Sequence, residues 1–310
     1  MNPIDTPDAS AGSAARHPDI FADTIAEMTW FEVERAAREG AVLLWAFGVI
    51  EQHGPHLPTG TDVYLPSVRL REVRKSLAAR GVTALIVPPY YWGINQVSGG
   101  FPASYRVRPE TMKALMGDVF ESLRTDGFSH VFCFSGHGDA LHNRTIHEGT
   151  RAAVAATGLD ASFVVDTALA TRLGLALDDP CVTLIDPEAV GAVPAAQVVA
   201  SSPSAPSAGT AAPAFVDVHA GRWETSMMMC SCPGLVREVL RSALKSTDLG
   251  PDDLAEWRRG FEHARRKTPL GYFGDPAAAS ADEGRRSLER SAERAAEAIV
   301  RRLGRARAPA

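Results

Sequence analysis

Residues 41–47 read AVLLWAF, seven apolar residues in a row, followed by Gly48-Val-Ile and then the polar stretch Glu51-Gln-His53-Gly-Pro-His56-Leu-Pro-Thr-Gly-Thr-Asp62. A short apolar run without alternation suits a strand buried on both faces, as parallel strands covered by helices are. The flanks agree. Upstream, Thr29-Trp-Phe-Glu32 has the form of a capping box, and Gly40 stands where a helix-ending glycine belongs. Downstream, residues 62–80 have helical character.

The same unit recurs along the chain. Residues 82–87 read as a second strand, 88–107 as a long loop, and Pro109 opens a helix that runs to about Arg124. Residues 131–134 form a third strand, 141–156 a helix and 161–165 a fourth strand. This alternation predicts an α/β fold: a three-layer α/β/α sandwich with a mostly parallel central sheet. Residues 1–22 are expected to be a disordered tail and 23–305 a single domain. The stretch 194–214, rich in Ala, Ser and Pro, reads as a long surface loop. Helices are expected over 251–267 and 281–303, the last solvated and laced with i,i+4 charge pairs.

Composition narrows the functional classes. Among 310 residues, 32 Lys and Arg stand against 37 Asp and Glu, a net charge of −5. No basic surplus is available to neutralise a phosphate backbone, so nucleic acid is not an expected partner. No apolar run approaches the roughly 18 residues that a membrane span needs. The first residues lack the basic and apolar blocks of a secretory signal. Four cysteines (Cys133, Cys181, Cys230, Cys232) make no disulfide framework in a chain of this length, and a cytoplasmic setting is expected.

Three segments concentrate chemistry. Glu51 and His53 follow the first strand and are two residues apart, so an extended backbone points both to one side; Asp62 either caps the next helix or joins them. His137 follows the third strand within Ser135-Gly-His-Gly-Asp139. Asp217-Val-His219-Ala-Gly-Arg-Trp-Glu224-Thr-Ser226 supplies another imidazole and carboxylate. In an open α/β sheet, ligands bind beyond the carboxyl ends of the strands, where such segments meet. Carboxylate and imidazole donors suit zinc, manganese or similar divalent ions. Five or six of them exceed the needs of one catalytic ion and fit a pair bridged by a carboxylate, a centre suited to hydrolysing an amide-like bond. Tyr90, Tyr91, Trp92 and Trp223 either line a flat substrate pocket or cover the core edge or a subunit contact. Arg106, Arg108 and Arg144 are candidates for a substrate anion or plain surface charges.

At these residues the chain resembles the creatininase family of metal-dependent amidohydrolases. The resemblance rests on residues 47–62, on Phe101-Pro-Ala-Ser104 before a Pro-Glu-Thr helix start, on Gly136-His137-Gly138, on His219 to Ser226, and more weakly on Gly274-Asp-Pro-Ala-Ala-Ala279. It implies a creatininase-like fold and two divalent ions, zinc first, with manganese or iron as alternatives. Glu51 and His53 would each bind one ion, Asp62 would bridge them, His137 and Glu224 would complete the set, and His219 would act over the substrate as acid/base or hydrogen-bond donor. Glu224 thus counts as both metal ligand and catalytic residue, and Asp139 is a further candidate ligand. A homo-oligomer, possibly a hexamer, is also implied. The chain departs from the family at Ser135, where Asn is usual, and at Ala103-Ser104, where Gly-Thr is usual. Gly138-Asp139 stands where creatinine-opening members carry Tyr-Glu, and no Trp occurs over residues 170–215.

The expected function is hydrolysis of a non-peptide C–N bond (amide, lactam or formamide) in a small molecule. The alternatives are processing of a short modified peptide and a non-catalytic scaffold that keeps the fold.

Overall fold

A computed structural model describes residues 19–186 and 215–307. The expected tail falls mostly, and the Ala/Ser/Pro-rich loop wholly, outside the described residues.

The capping box forms as read. The Glu32 carboxylate accepts the Thr29 backbone N–H at 2.7 Å, and α1 (Trp30–Arg38) runs from there to the left-handed Gly40. β1 (Val42–Phe47) follows, then α2 (Thr61–Ala78), β2 (Ala84–Tyr90), α3 (Pro109–Thr125), β3 (His130–Ser135), α4 (Ala140–Thr157) and β4 (Asp160–Val165). Two short elements escape the sequence patterns: α5 (Thr167–Leu173) and β5 (Val182–Leu184). The five strands form one sheet in the order β2-β1-β3-β4-β5. Every pairing is parallel, with Leu43 opposite both Leu85 and Val131, and His130 opposite Asp160.

Side chains alternate along β1 and divide the core into two layers. Leu43, Trp45 and Phe47 pack with Met112, Met116 and Phe120 of α3 and Ile146 of α4. Val42, Leu44 and Ala46 pack on the opposite face with Leu70, Val73 and Leu77 of α2. This is the α/β/α sandwich with a mostly parallel sheet that the pattern predicts.

The remaining helices are α6 (Arg222–Ser231), α7 (Glu238–Ala243), α8 (Pro251–Trp257), α9 (Glu262–Lys267) and α10 (Ala281–Arg307). Two expectations need correction here. The single helix over 251–267 is two, because Gly260 and Phe261 both adopt positive φ (77° and 50°) and turn the chain between α8 and α9. The last helix is not merely solvated. Ala292, Ala295, Ala296 and Ile299 are buried against the α2 side of the sheet, with the Arg and Glu residues on the outer face. Among the described residues, no helix is long and apolar enough to cross a membrane.

Candidate metal centre

The carboxyl edge of the sheet is where β1 and β3 release their chains. Glu51 lies just beyond β1, His137 just beyond β3, and Asp62 sits in the first turn of α2, which packs beside them. Asp62 does not cap α2: Gly60 holds that position and the Asp62 side chain makes no cap bond. A Cβ on Gly48 would meet the Asp62 carbonyl oxygen at 2.2 Å, and one on Gly136 would meet the same atom at 2.5 Å. Glycine at both strand ends therefore lets the head of α2 settle between them.

The third segment arrives differently from the expectation. It follows no strand of the main sheet; His219 is held by an isolated antiparallel bridge to Phe273, whose N–H donates to the His219 carbonyl at 2.7 Å. Asp217 accepts the N–H groups of Arg222 and Asp275 at 2.7 and 3.0 Å, tying this segment to the turn before α10. Glu224 then projects from the first turn of α6, and its Oε2 accepts the Ala220 N–H at 2.5 Å.

Five of the predicted residues and His219 come together in three overlapping groups: Glu51–Asp62–His137, His53–Asp62–Glu224 and Glu51–His53–His219. His137 Nδ1 lies 2.8 Å from Asp62 Oδ2 and 3.0 Å from Glu51 Oε1. His53 Nε2 faces Asp62 Oδ1 at 3.2 Å and Glu224 Oε2 at 3.8 Å, and His219 Nδ1 faces Glu51 Oε1 at 3.8 Å. Asp62 thus presents one oxygen to each side. Asp139 is not brought into these groups. It caps α4, Oδ1 accepting from Leu141 N and His142 N while Oδ2 accepts from Gln96 N.

Charge is redistributed inside this pocket. Desolvation opposes a charged His53, yet Asp62, with Glu224 and Glu51, holds its pKa up at about 10. Desolvation opposes a charged His137 too, and Glu51 and Asp62 raise it well above the ordinary value. The imidazoles in turn keep Glu51 and Asp62 below the usual carboxylate range despite their burial. Glu224 behaves otherwise: burial pushes it up to about 7, with His53 only partly offsetting this. His219 is pushed down to about 4 by burial and by the charge on His53. Its Nε2 sits 2.9 Å from the Gln52 carbonyl and 3.1 Å from the Gln52 side-chain Nε2, and its Nδ1 faces Glu51.

This donor set fits divalent cations. It holds oxygen and nitrogen donors without a thiolate, and among the described residues the buried Nε2 of His53, the atom that faces Asp62 and Glu224, has no hydrogen-bond partner.

Sequence reasoning missed the residues that hold the ligands. Asn95 Nδ2 donates to Glu51 Oε2 at 2.9 Å, and the Ser98 hydroxyl donates to the same oxygen. His53 Nδ1 faces the Glu51 carbonyl at 3.1 Å, and His56, to which the motif assigned no role, meets the Thr225 hydroxyl at 2.9 Å. Short polar residues in a loop carry no periodic signal, which hid Asn95 and Ser98. Two aromatics resolve toward the core edge: Tyr90 is buried against Phe47, and Trp223 Nε1 donates to Ser287 of α10 at 2.9 Å. Trp92 is 47% exposed.

A family model described as creatinine amidohydrolase matches residues 26–299. The chain belongs to the creatininase family. Creatinine amidohydrolase of Pseudomonas putida is 31% identical over 119 residues, covering 36% of this chain and 44% of that protein, so the match spans less than half of that relative. A mycofactocin precursor peptide peptidase of Mycolicibacterium smegmatis is 26% identical over 266 residues, covering 84% and 85% of the two chains. Its counterpart from Mycobacterium ulcerans is 28% identical over 251 residues, covering 79% and 78%. Among solved structures, a manganese creatininase superposes with a TM-score of 0.61 at 20% identity, covering 90% of this chain and 98% of that one. A creatininase variant described as Zn–Zn type gives 0.58 at 23% identity, covering 90% and 97%. These likenesses establish a creatininase fold, and the chain is a hydrolase of that family.

Proposed function

We propose that this creatininase-family chain hydrolyses a non-peptide C–N bond, an amide, lactam or formamide of a small molecule, at a pair of divalent cations. One observation carries the proposal: Asp62 faces His137 and Glu51 with one side and His53 and Glu224 with the other. A bridging carboxylate between two ligand groups is the arrangement that two-metal hydrolytic sites use.

Glu51 and His137 would hold one cation, His53 and Glu224 the other, and Asp62 both. Zinc is the first expectation for both ions, with manganese or iron as alternatives. Such a pair supplies Lewis acidity toward a carbonyl oxygen and a water activated at neutral pH. The chain's own contribution is positioning and proton handling. Asn95 and Ser98 fix the outer oxygen of Glu51, leaving Oε1 turned to His137. His219, held neutral by its burial and with Nδ1 turned toward Glu51, can take a proton and return it to a departing nitrogen. Glu224, which burial raises to about 7 in the metal-free site, would be held ionised by the cation it binds.

A second proposal, processing of a short modified peptide, is favoured by one observation. The peptide peptidase relatives align over 84% and 79% of this chain, against 36% for the creatinine amidohydrolase. A cytoplasmic homo-oligomer remains part of the proposal.

Metal analysis with a substrate panel tests both. About two ions per chain with turnover of small amides supports the first proposal. Two ions with turnover of peptides alone supports the second. Absence of bound metal, together with no turnover of either substrate class, contradicts both and favours a scaffold.

A further inference from the structure

His142, in the first turn of α4, is fully buried and belongs to none of the ligand groups found among the described residues. Its ring nevertheless stands edge-on to that of His137, with centroids 5.2 Å apart and planes at 72°. Its two nitrogens reach two other segments. Nδ1 accepts the Ile94 N–H at 3.2 Å, and Nε2 faces the carbonyl of Phe47, the last residue of β1, at 3.4 Å. A neutral ring protonated at Nε2 suits both partners, since a backbone N–H can only donate and a carbonyl can only accept.

Each partner leads to one half of the metal centre. The Phe47 carbonyl also accepts the Gly136 N–H at 2.8 Å, which ties the end of β1 to the residue before His137. Ile94 precedes Asn95, whose Nδ2 donates to Glu51 Oε2 at 2.9 Å and whose Oδ1 accepts the Ser98 N–H at 3.1 Å. The Ser98 hydroxyl donates to the same Glu51 oxygen. On the far side of Asn95, the Gln96 N–H donates to Asp139 Oδ2 at 2.9 Å, so the head of α4 grips this loop at two points. The loop lies directly on the ring: a Cβ on Gly93 would meet His142 Cε1 at 2.8 Å. Among the described residues, no hydrogen bond or ring contact of His142 reaches His53 or Glu224.

We propose that His142 is a positioning residue for one cation of the pair. It sets Glu51 against His137 by bracing the loop that holds Glu51 while backing the His137 ring, and it is not itself a ligand. This deepens the dinuclear reading above and rests on it. The consequence is one-sided: loss of His142 weakens the position between Glu51 and His137 and spares the one between His53 and Glu224. A residue that merely stabilised the fold would affect both alike.

The test is anomalous diffraction from crystals of the full chain equilibrated with graded Mn2+, with occupancy read separately at the two positions. His142→Gln sets its amide at the level of Nε2 and leaves the Ile94 N–H unpaired. His142→Asn places an oxygen at the level of Nδ1 and restores that bond. The Gln variant should need about tenfold more Mn2+ or beyond for half occupancy between Glu51 and His137, with the other position within about twofold of the wild type. The Asn variant should recover most of the loss. Equal weakening at both positions, no weakening at either, or an Asn variant no better than Gln overturns the proposal. Should His142→Gln not fold, Asn95→Ala cuts the same brace one link further on: a one-sided loss supports the proposal and an even loss overturns it. A wild type without two Mn2+ positions overturns the dinuclear reading before any variant is compared, so the two failures are distinguishable.

Discussion

His137 Nδ1 stands 2.8 Å from Asp62 Oδ2 although 75 residues separate them in sequence. The contact exists because β3 pairs with β1, and because glycine at both strand ends leaves room for the head of α2. The site is therefore a product of sheet order and close backbone packing, and both can be perturbed without touching a ligand.

Gly48→Ala perturbs the packing. The added methyl would fall 2.2 Å from the Asp62 carbonyl oxygen, so α2 must shift. Overpacking of this kind costs about 1–3 kcal/mol. The expected outcome is a lower denaturation midpoint together with weaker metal uptake, read by denaturant melts and by metal titration. A variant with lost stability but full metal affinity would show that the packing does not position Asp62.

Ser98→Ala removes one of the two hydrogen bonds that Glu51 Oε2 accepts. Outer partners of metal ligands are typically worth 10–100-fold in metal affinity or activity. We expect a loss of about tenfold or more in metal affinity with little change in melting temperature of the metal-free protein. Affinity within twofold of the wild type would remove Ser98 from the supporting shell.

His56 governs part of the acid sensitivity. It is fully buried, and burial together with the charges of His53 and Arg241 pushes its pKa down to about 3 from the ordinary 6.5. As pH falls below 6.5 the unfolded chain takes up a proton that the folded chain refuses, so stability is lost progressively between 6.5 and about 3. The slope from this one group is at most about 1.4 kcal/mol per pH unit. In His56→Gln, stability should fall less steeply over pH 6 to 4, measured by urea melts; an unchanged slope would contradict the assignment.

Ala296→Glu tests the inner face of α10. Ala296 is completely buried beside Ala292, Ala295 and Ile299. An unpaired charge there should cost at least about 3 kcal/mol. The reverse change, Glu→Ala at exposed Glu293 or Glu297, should cost well under 1 kcal/mol, since surface ion pairs are worth little. Equal effects at inner and outer positions would contradict the buried face.

These contrasts show what was legible in the sequence. β1 was, because seven apolar residues bounded by a capped helix and a polar loop admit few other structures. The meeting of Glu51, His53, Asp62 and His137 was, because carboxylates and imidazoles past the ends of neighbouring parallel strands gather at one edge; Glu224 reaches them from α6, which follows no strand of the sheet, and only its motif pointed to it. The inner face of α10 was not: alanines carry too little hydrophobic signal to stand out among Arg and Glu. The break at Gly260–Phe261 was hidden by helix-forming residues on both sides, with Gly260 as the sole cue. β5, three residues long, is too short for any period to register. Asp139 read as a ligand because it stands where relatives carry a Glu, yet it also precedes α4, whose cap takes Oδ1 while Gln96 N takes Oδ2.

The most direct test of the dinuclear centre is anomalous diffraction from crystals of the full chain grown with Mn2+ or Zn2+. We predict two peaks about 3.5–4 Å apart, one between Glu51 and His137 and one between His53 and Glu224, with Asp62 touching both. A single peak, or peaks away from Asp62, would contradict it.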